Sequence, residues 1–134
     1  MRYRSWIVAA TLCLPALASA DTRAHEKQQL ARFERFAGAP VDEFPMVELF
    51  RSQVVGAQDV VLWSTIKQAY LVRVQQPCRQ LEWVSGLSVT RAQKWKVSRK
   101  FDSVDVGTQC RIVEIRPIDV AAMQQAERAK PGTS

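Results

Sequence analysis

Residues 75–119 hold the most regular alternation of apolar and polar side chains in the chain, and two cysteines bracket most of this segment. Cys78 lies near its start and Cys110 near its end, shortly before Arg116-Pro117. Alternation with a period of two is typical of strands that bury one face. The segment therefore predicts a sheet, and a disulfide between its two cysteines would cross-link that sheet.

The first twenty residues have the three parts of a secretory signal peptide. Arg2 and Arg4 precede an apolar run over residues 6–17, and Ala18-Ser19-Ala20 forms a small-residue cleavage site. The apolar run is shorter than the roughly 20 residues that cross a bilayer. We predict a signal peptide over residues 1–20, and therefore a periplasmic or secreted protein.

A lipoprotein signal is the alternative interpretation of this start, with Cys13 as the acylated residue. The sequence before Cys13 fits that signal poorly, because Leu12 stands where a small residue is expected.

Removal of the signal peptide changes both charge and length. Arg2 and Arg4 leave with it, so the formal net charge falls from +6 to +4. A mildly basic net charge affects the solubility of the protein and its attraction to anionic molecules. The remaining residues 21–134 predict one small domain, with flexible tails over residues 21–27 and 130–134.

Two cysteines remain after cleavage, Cys78 and Cys110. Export places thiols where they are oxidised, so we predict one disulfide between them. A closed loop of this length stabilises a fold by about 3 to 4 kcal/mol. The chain has no C-x-x-C pair, so its pattern does not favour redox chemistry.

The periodicity predicts an α+β fold. Helices are predicted over residues 26–36 and 119–129, with a short helical turn over residues 77–84. Strands are predicted over residues 46–54, 59–63, 69–74, 87–90, 94–101 and 109–115. We expect a curled, mainly antiparallel sheet of about six strands flanked by the N-terminal and C-terminal helices, with the disulfide joining the turn after the third strand to the last strand.

The strand predicted over residues 94–101 has a basic face. We expect Trp95, Val97 and Phe101 to point toward the core, and the opposite face to carry Lys94, Lys96, Ser98 and Lys100.

This basic cluster is the candidate binding site. The predicted anion-binding residues are Arg91, Lys94, Lys96 and Lys100, with Arg99 and Trp95 among them. The alternative is an edge strand whose lysines prevent aggregation. Because export separates the protein from nucleic acid, the predicted partners are anionic lipid, lipopolysaccharide or an acidic envelope protein.

No catalytic, metal or cofactor site is predicted. Asp102 and Asp105 are the nearest pair of carboxylates, but aspartates beside a glycine corner commonly accept hydrogen bonds from turn amides. His25 is the single histidine, and it falls in the predicted tail. A hydrolase is therefore the least favoured of three functions.

The favoured function is a non-enzymatic binding module of the cell envelope. The second is a small accessory or inhibitor subunit, for which Trp63, Trp83 and Trp95 are candidate anchors if they are exposed and not part of the core.

The order of several segments resembles a known family. These segments are Val61-Leu62-Trp63, Ala69-Tyr70-Leu71-Val72, Pro77-Cys78-x-x-Leu81-Glu82, Arg99-x-Phe101-Asp102 and Cys110-x-Ile112-x-x-Ile115-Arg116-Pro117-x-Asp119-Val120. The chain resembles a set of small exported proteobacterial proteins that form a domain-of-unknown-function family. The resemblance covers most of residues 21–134. It implies an envelope location and a paired Cys78 and Cys110, and it implies no activity.

Overall fold

The computed structural model describes residues 16–129, with side chains from residue 23 onward. Most of the predicted signal peptide, Cys13 and the predicted tail 130–134 lie outside the described residues. Helix α1 spans Ala16–Arg35, so the predicted cleavage site after Ala20 falls within its first turns. The helix begins before the predicted residue 26, because residues 23–29 are mostly strong helix formers. Residues 21–27, predicted as a tail, continue this helix.

Eight strands and a second helix follow in the described part of the chain. The strands are β1 (Glu43–Pro45), β2 (Arg51–Val54), β3 (Asp59–Trp63), β4 (Ala69–Val74), β5 (Ser88–Thr90), β6 (Lys96–Ser98), β7 (Ser103–Asp105) and β8 (Gln109–Ile118). A short 3-10 helix, Leu81–Trp83, separates β4 from β5. Helix α2 spans Val120–Arg128, and the Asp119 carboxylate caps it by accepting a hydrogen bond from the Ala122 N–H.

Six strands form one antiparallel sheet in the order β2-β3-β4-β8-β7-β5, and β1 pairs with β6 in a separate two-stranded sheet. The α+β prediction is confirmed: a curled antiparallel sheet of six strands carries an N-terminal and a C-terminal helix. The disulfide prediction is confirmed as well. Cys78, after β4, is bonded to Cys110 on β8, and their Cα atoms are 5.9 Å apart.

The main sheet is covered on both faces, because β3 is buried along its whole length. Val60 and Leu62 pack on one side in a cluster that includes Phe44 and Val97 of the small sheet. The alternate β3 residues, Val61 and Trp63, pack on the other side in a second cluster, to which the helices contribute Phe33, Val120 and Met123. The small sheet and the two helices therefore sandwich the main sheet.

Three strand predictions were wrong in extent. The segment predicted as one strand over residues 46–54 is a loop until β2 begins at Arg51. The strand predicted over residues 94–101 is only the three residues of β6. Conversely, β8 continues past its predicted end through Pro117. Pro117 is tolerated there because its carbonyl oxygen accepts from the Gly38 N–H, so its backbone faces away from β4 and costs no bond to that strand.

Candidate functional site

Arg91 fixes the loop that precedes β6. Its guanidinium donates hydrogen bonds to the carbonyl oxygens of Met46 at 2.5 Å, Lys94 at 2.8 Å and Val47 at 3.1 Å. Two of these acceptors lie in the loop between β1 and β2, far away in sequence. Arg91 therefore binds two loops to each other, and three of its donors are already used by backbone carbonyls.

Asp102 fixes the turn that follows β6. Its carboxylate is buried, with the residue only 2% exposed. One oxygen accepts from the Ser98 N–H at 2.5 Å, and the other accepts from the Ala92 N–H at 2.8 Å. The Asp102 N–H also donates to the Ser98 carbonyl at 3.1 Å. This carboxylate closes the turn 98–102 and holds it beside the loop that begins at Arg91.

The Asp102 turn explains why the predicted facing of Phe101 was wrong. The chain leaves the strand after Ser98, so the two-residue period does not extend to Phe101. Trp95 is 62% exposed and Phe101 is 77% exposed, whereas Ser98, predicted to face solvent, is buried. Val97 alone of the predicted inward residues is fully buried.

The predicted cations fall into two groups. Lys96 forms an ion pair with Glu43 at 2.8 Å, and Arg99 forms one with Asp42 at 3.1 Å. Lys94 and Lys100 are exposed, and no acidic side chain in residues 23–129 forms an ion pair with either. Of the four predicted anion-binding residues, the structure thus leaves Lys94 and Lys100 with uncommitted charges.

These features define one surface, which we call the aromatic–lysine surface. Its members are Val47, Lys94, Trp95, Lys100 and Phe101, all exposed. They belong to the loops that Arg91 joins and to the turn that Asp102 holds beside them. The sequence indicated the two lysines but not Val47. Val47 joins this surface only through the hydrogen bond that its carbonyl oxygen accepts from Arg91. The exposed Glu48 is the acidic residue nearest in sequence to Val47.

The candidate catalytic groups have structural roles. Besides the two amides bound by Asp102, the Gly107 N–H donates to the Asp105 carboxylate at 2.9 Å, which confirms the turn interpretation of both aspartates. His25 is exposed on α1. Within residues 23–129, no three His, Cys, Asp or Glu side chains are grouped so that they could hold a metal ion.

The three tryptophans considered as anchors differ in exposure. Trp63 is buried in the core, and the Arg51 guanidinium lies 4.4 Å from its ring centroid. Trp95 lies on the aromatic–lysine surface, and Trp83 is 84% exposed on the 3-10 helix. Trp83 and Trp95 are therefore available for contacts with a partner.

The two groups whose pKa is shifted, Tyr70 and Arg73, both lie on β4 and are not part of this surface. Buried Asp59 accepts a hydrogen bond from Arg73 at 3.1 Å, and this bond and the charge of Asp59 raise the pKa of the Arg73 guanidinium. Burial raises the pKa of Tyr70, whose ring stacks on Phe44 with centroids 3.9 Å apart. Sequence reasoning missed the Asp59–Arg73 pair, although an aspartate that opens a wholly apolar strand was a usable signal.

No helix among the described residues is long and apolar enough to cross a membrane.

The chain matches the model of a known protein family. Residues 1–133 match the family of unknown function DUF6491. The chain belongs to this family. DUF6491 covers nearly the whole sequence, which confirms the resemblance to an uncharacterised family. No curated protein and no solved structure matches the chain. Membership of DUF6491 assigns no activity to the chain.

Proposed function

We propose that this DUF6491 protein is an exported, non-enzymatic binding module, and that its aromatic–lysine surface binds the anionic surface of an envelope membrane. Export is supported by the signal-peptide pattern of residues 1–20 and by the Cys78–Cys110 disulfide, a bond typical of oxidising compartments such as the periplasm.

The observation that carries the proposal is the exposure of Trp95 and Phe101 on well-fixed loops. Large exposed apolar side chains that cluster on a surface mark interaction sites. Here the backbone beneath them is held by the carboxylate of Asp102 and the guanidinium of Arg91. A surface prepared in this way loses little conformational entropy when it binds.

The neighbouring charges favour a membrane as the partner. Tryptophan is enriched where apolar chains meet headgroups, because its ring is amphipathic. Lys94 and Lys100 have long stems that allow the ammonium groups to reach phosphates while the stems cover apolar surface. Aromatic insertion and lysine attraction thus act together at a phosphate-bearing interface.

The expected affinity is modest. Transfer of an aromatic side chain from water contributes about 1.5–3 kcal/mol when burial is complete. Each lysine near an anionic leaflet contributes about 1 kcal/mol. Two partly inserted aromatic rings and two lysines therefore give weak, reversible attachment. Added salt weakens only the electrostatic contribution of the lysines to the binding free energy.

An accessory or inhibitor subunit is the second candidate, and Trp95 would then anchor a protein interface. The uncommitted lysines beside Trp95 favour the membrane over this alternative, because the cores of protein interfaces are depleted in lysine.

Vesicle flotation tests the proposal. The protein without residues 1–20 is mixed with vesicles of phosphatidylcholine alone, of phosphatidylcholine with phosphatidylglycerol, or of phosphatidylcholine with lipopolysaccharide. We expect flotation with the anionic vesicles and not with phosphatidylcholine alone. The two anionic samples separate a phospholipid phosphate from a lipopolysaccharide phosphate. Equal absence of flotation from all three would reject the membrane and leave the protein partner.

A further inference from the structure

A cleft of about 810 Å³ lies between α1, the loop that joins β2 to β3, and the 3-10 helix. Its volume is within the usual range of small-molecule sites. The aromatic–lysine surface contributes none of its lining. The charged and aromatic residues that line it are Arg23, Glu26, Lys27, Asp59, Glu82 and Trp83.

Trp83 stands out among these residues, because it is 84% exposed although its neighbours are firmly held. Leu81, two residues earlier in the same 3-10 helix, is fully buried. Cys78, whose carbonyl oxygen accepts from the Leu81 N–H, is fixed to β8 by the disulfide. The exposed indole is therefore presented by an anchored segment, and a ligand in the cleft would cover it.

The cleft carries uncommitted charges of both signs. Asp59 already pairs with Arg73. Glu26 and Glu82 have no ion-pair partner in the part of the chain whose side chains are described, and the same is true of Arg23 and Lys27. Two carboxylates and two cations thus belong to residues that line one cleft together with an aromatic residue.

We infer that this cleft binds a small zwitterion, a molecule that carries a primary ammonium group and a carboxylate or phosphate group. The ammonium fits Glu82 and Glu26 together with the face of the Trp83 ring, since carboxylates and indoles are the two side-chain groups that attract cations most strongly. The anionic group fits Arg23 and Lys27 of α1. An ion of one sign would leave the opposite pair of charges without a partner.

Two available molecules represent the two sources of such a ligand. Glycylglycine represents amino acids and peptides, and phosphoethanolamine represents a lipid headgroup. Propylamine and propionate each carry one of the two charges and serve as controls. The readout is the set of indole N–H resonances of Trp63, Trp83 and Trp95 in 15N-labelled protein without residues 1–20, assigned with single Trp→Phe variants.

We expect a zwitterion to shift the Trp83 resonance and to leave those of Trp63 and Trp95 in place. Glu82→Gln should weaken binding about tenfold, because a charge-assisted contact is lost. Glu82 is exposed, so this variant folds normally. Gly56→Leu should abolish the shift without a change in charge. Gly56 lines the cleft, and a Cβ there would meet Leu30 and Asp59 at ordinary contact distances of 3.5 Å and more.

A Trp83 shift with either zwitterion supports the inference and identifies the source of the ligand. The inference is overturned if neither zwitterion moves the resonance, or if propylamine or propionate moves it as strongly. It is also overturned if Glu82→Gln and Gly56→Leu leave the titration unchanged. None of these outcomes bears on vesicle flotation, because the aromatic–lysine surface does not line the cleft.

Discussion

The Asp102 carboxylate accepts a hydrogen bond from the Ser98 N–H at 2.5 Å, at the last residue of β6. The same carboxylate accepts from the Ala92 N–H, so one buried side chain joins the loop before β6 to the turn after it. The exposure of Phe101 follows from this arrangement, because its ring extends from the turn that the Asp102 carboxylate closes.

Replacement of Asp102 by asparagine should destabilise the protein. The carboxylate uses both oxygens as acceptors, and an amide can supply only one. We expect the free energy of unfolding in urea to fall by about 1–3 kcal/mol, the cost of a buried donor left without its acceptor. Asp105→Asn is the matched control, because Asp105 uses a single oxygen, which asparagine retains. Equal stability of the two variants would contradict this role for Asp102.

Removal of the disulfide should lower stability without a change of fold. The bond closes a loop across a sequence separation of 32. We expect Cys78→Ala combined with Cys110→Ala to reduce the free energy of unfolding by about 3–4 kcal/mol. Urea titrations of this variant and of the reduced native protein should agree with each other. A native protein whose intact mass does not change on reduction would show that the bond is not formed.

Tyr70 should make stability depend on pH in the alkaline range. Its burial raises the pKa of the folded state above the ordinary value of about 10. The folded state then holds the proton more tightly, so the stabilisation is complete below the unfolded pKa and is lost as pH rises through the folded pKa. Tyr70 is the only tyrosine after residue 20, so tyrosinate absorbance measures it directly.

We expect the absorbance midpoint of Tyr70 to lie above that of the urea-unfolded protein. The Tyr70→Phe variant should lose less stability than the native protein as pH rises beyond 10. A midpoint at or below the unfolded value would mean that the ring is hydrated.

Glu48 should weaken membrane binding. It is exposed next to Val47, and its carboxylate repels anionic headgroups. We expect Glu48→Gln to strengthen binding to vesicles containing phosphatidylglycerol about fivefold, as one charge near such a surface is worth about 1 kcal/mol. Glu114→Gln removes the same charge from β8 and should change binding less. An equal gain in both variants would indicate a response to net charge and not to a site.

The sequence predicted β3, β4 and α2 well, because each has a local signal. β3 and β4 are apolar runs between turn residues, and Asp119 is a helix cap followed by apolar residues on one face. The disulfide was also predictable, since only Cys78 and Cys110 remain after the predicted cleavage site.

The candidate site was only partly predictable. Its cations lie in one short segment, but which of them are neutralised depends on Asp42 and Glu43, more than 50 residues earlier in the chain, which pair with Arg99 and Lys96. The contact of Arg91 with the Met46 carbonyl joins residues 45 positions apart. A local pattern of apolar and polar residues carries no information about such long-range contacts. Without them, the segment 94–101 resembles one regular strand.

The most direct test of the account compares two pairs of substitutions in vesicle flotation. The first protein carries Trp95→Ala and Lys94→Glu on the aromatic–lysine surface. The second carries Ile66→Ala and Lys67→Glu, which make comparable changes in the exposed turn between β3 and β4. We expect the first protein to lose binding to phosphatidylglycerol vesicles and the second to bind like the native protein. Equal binding by both would contradict the assignment of the aromatic–lysine surface as the membrane contact.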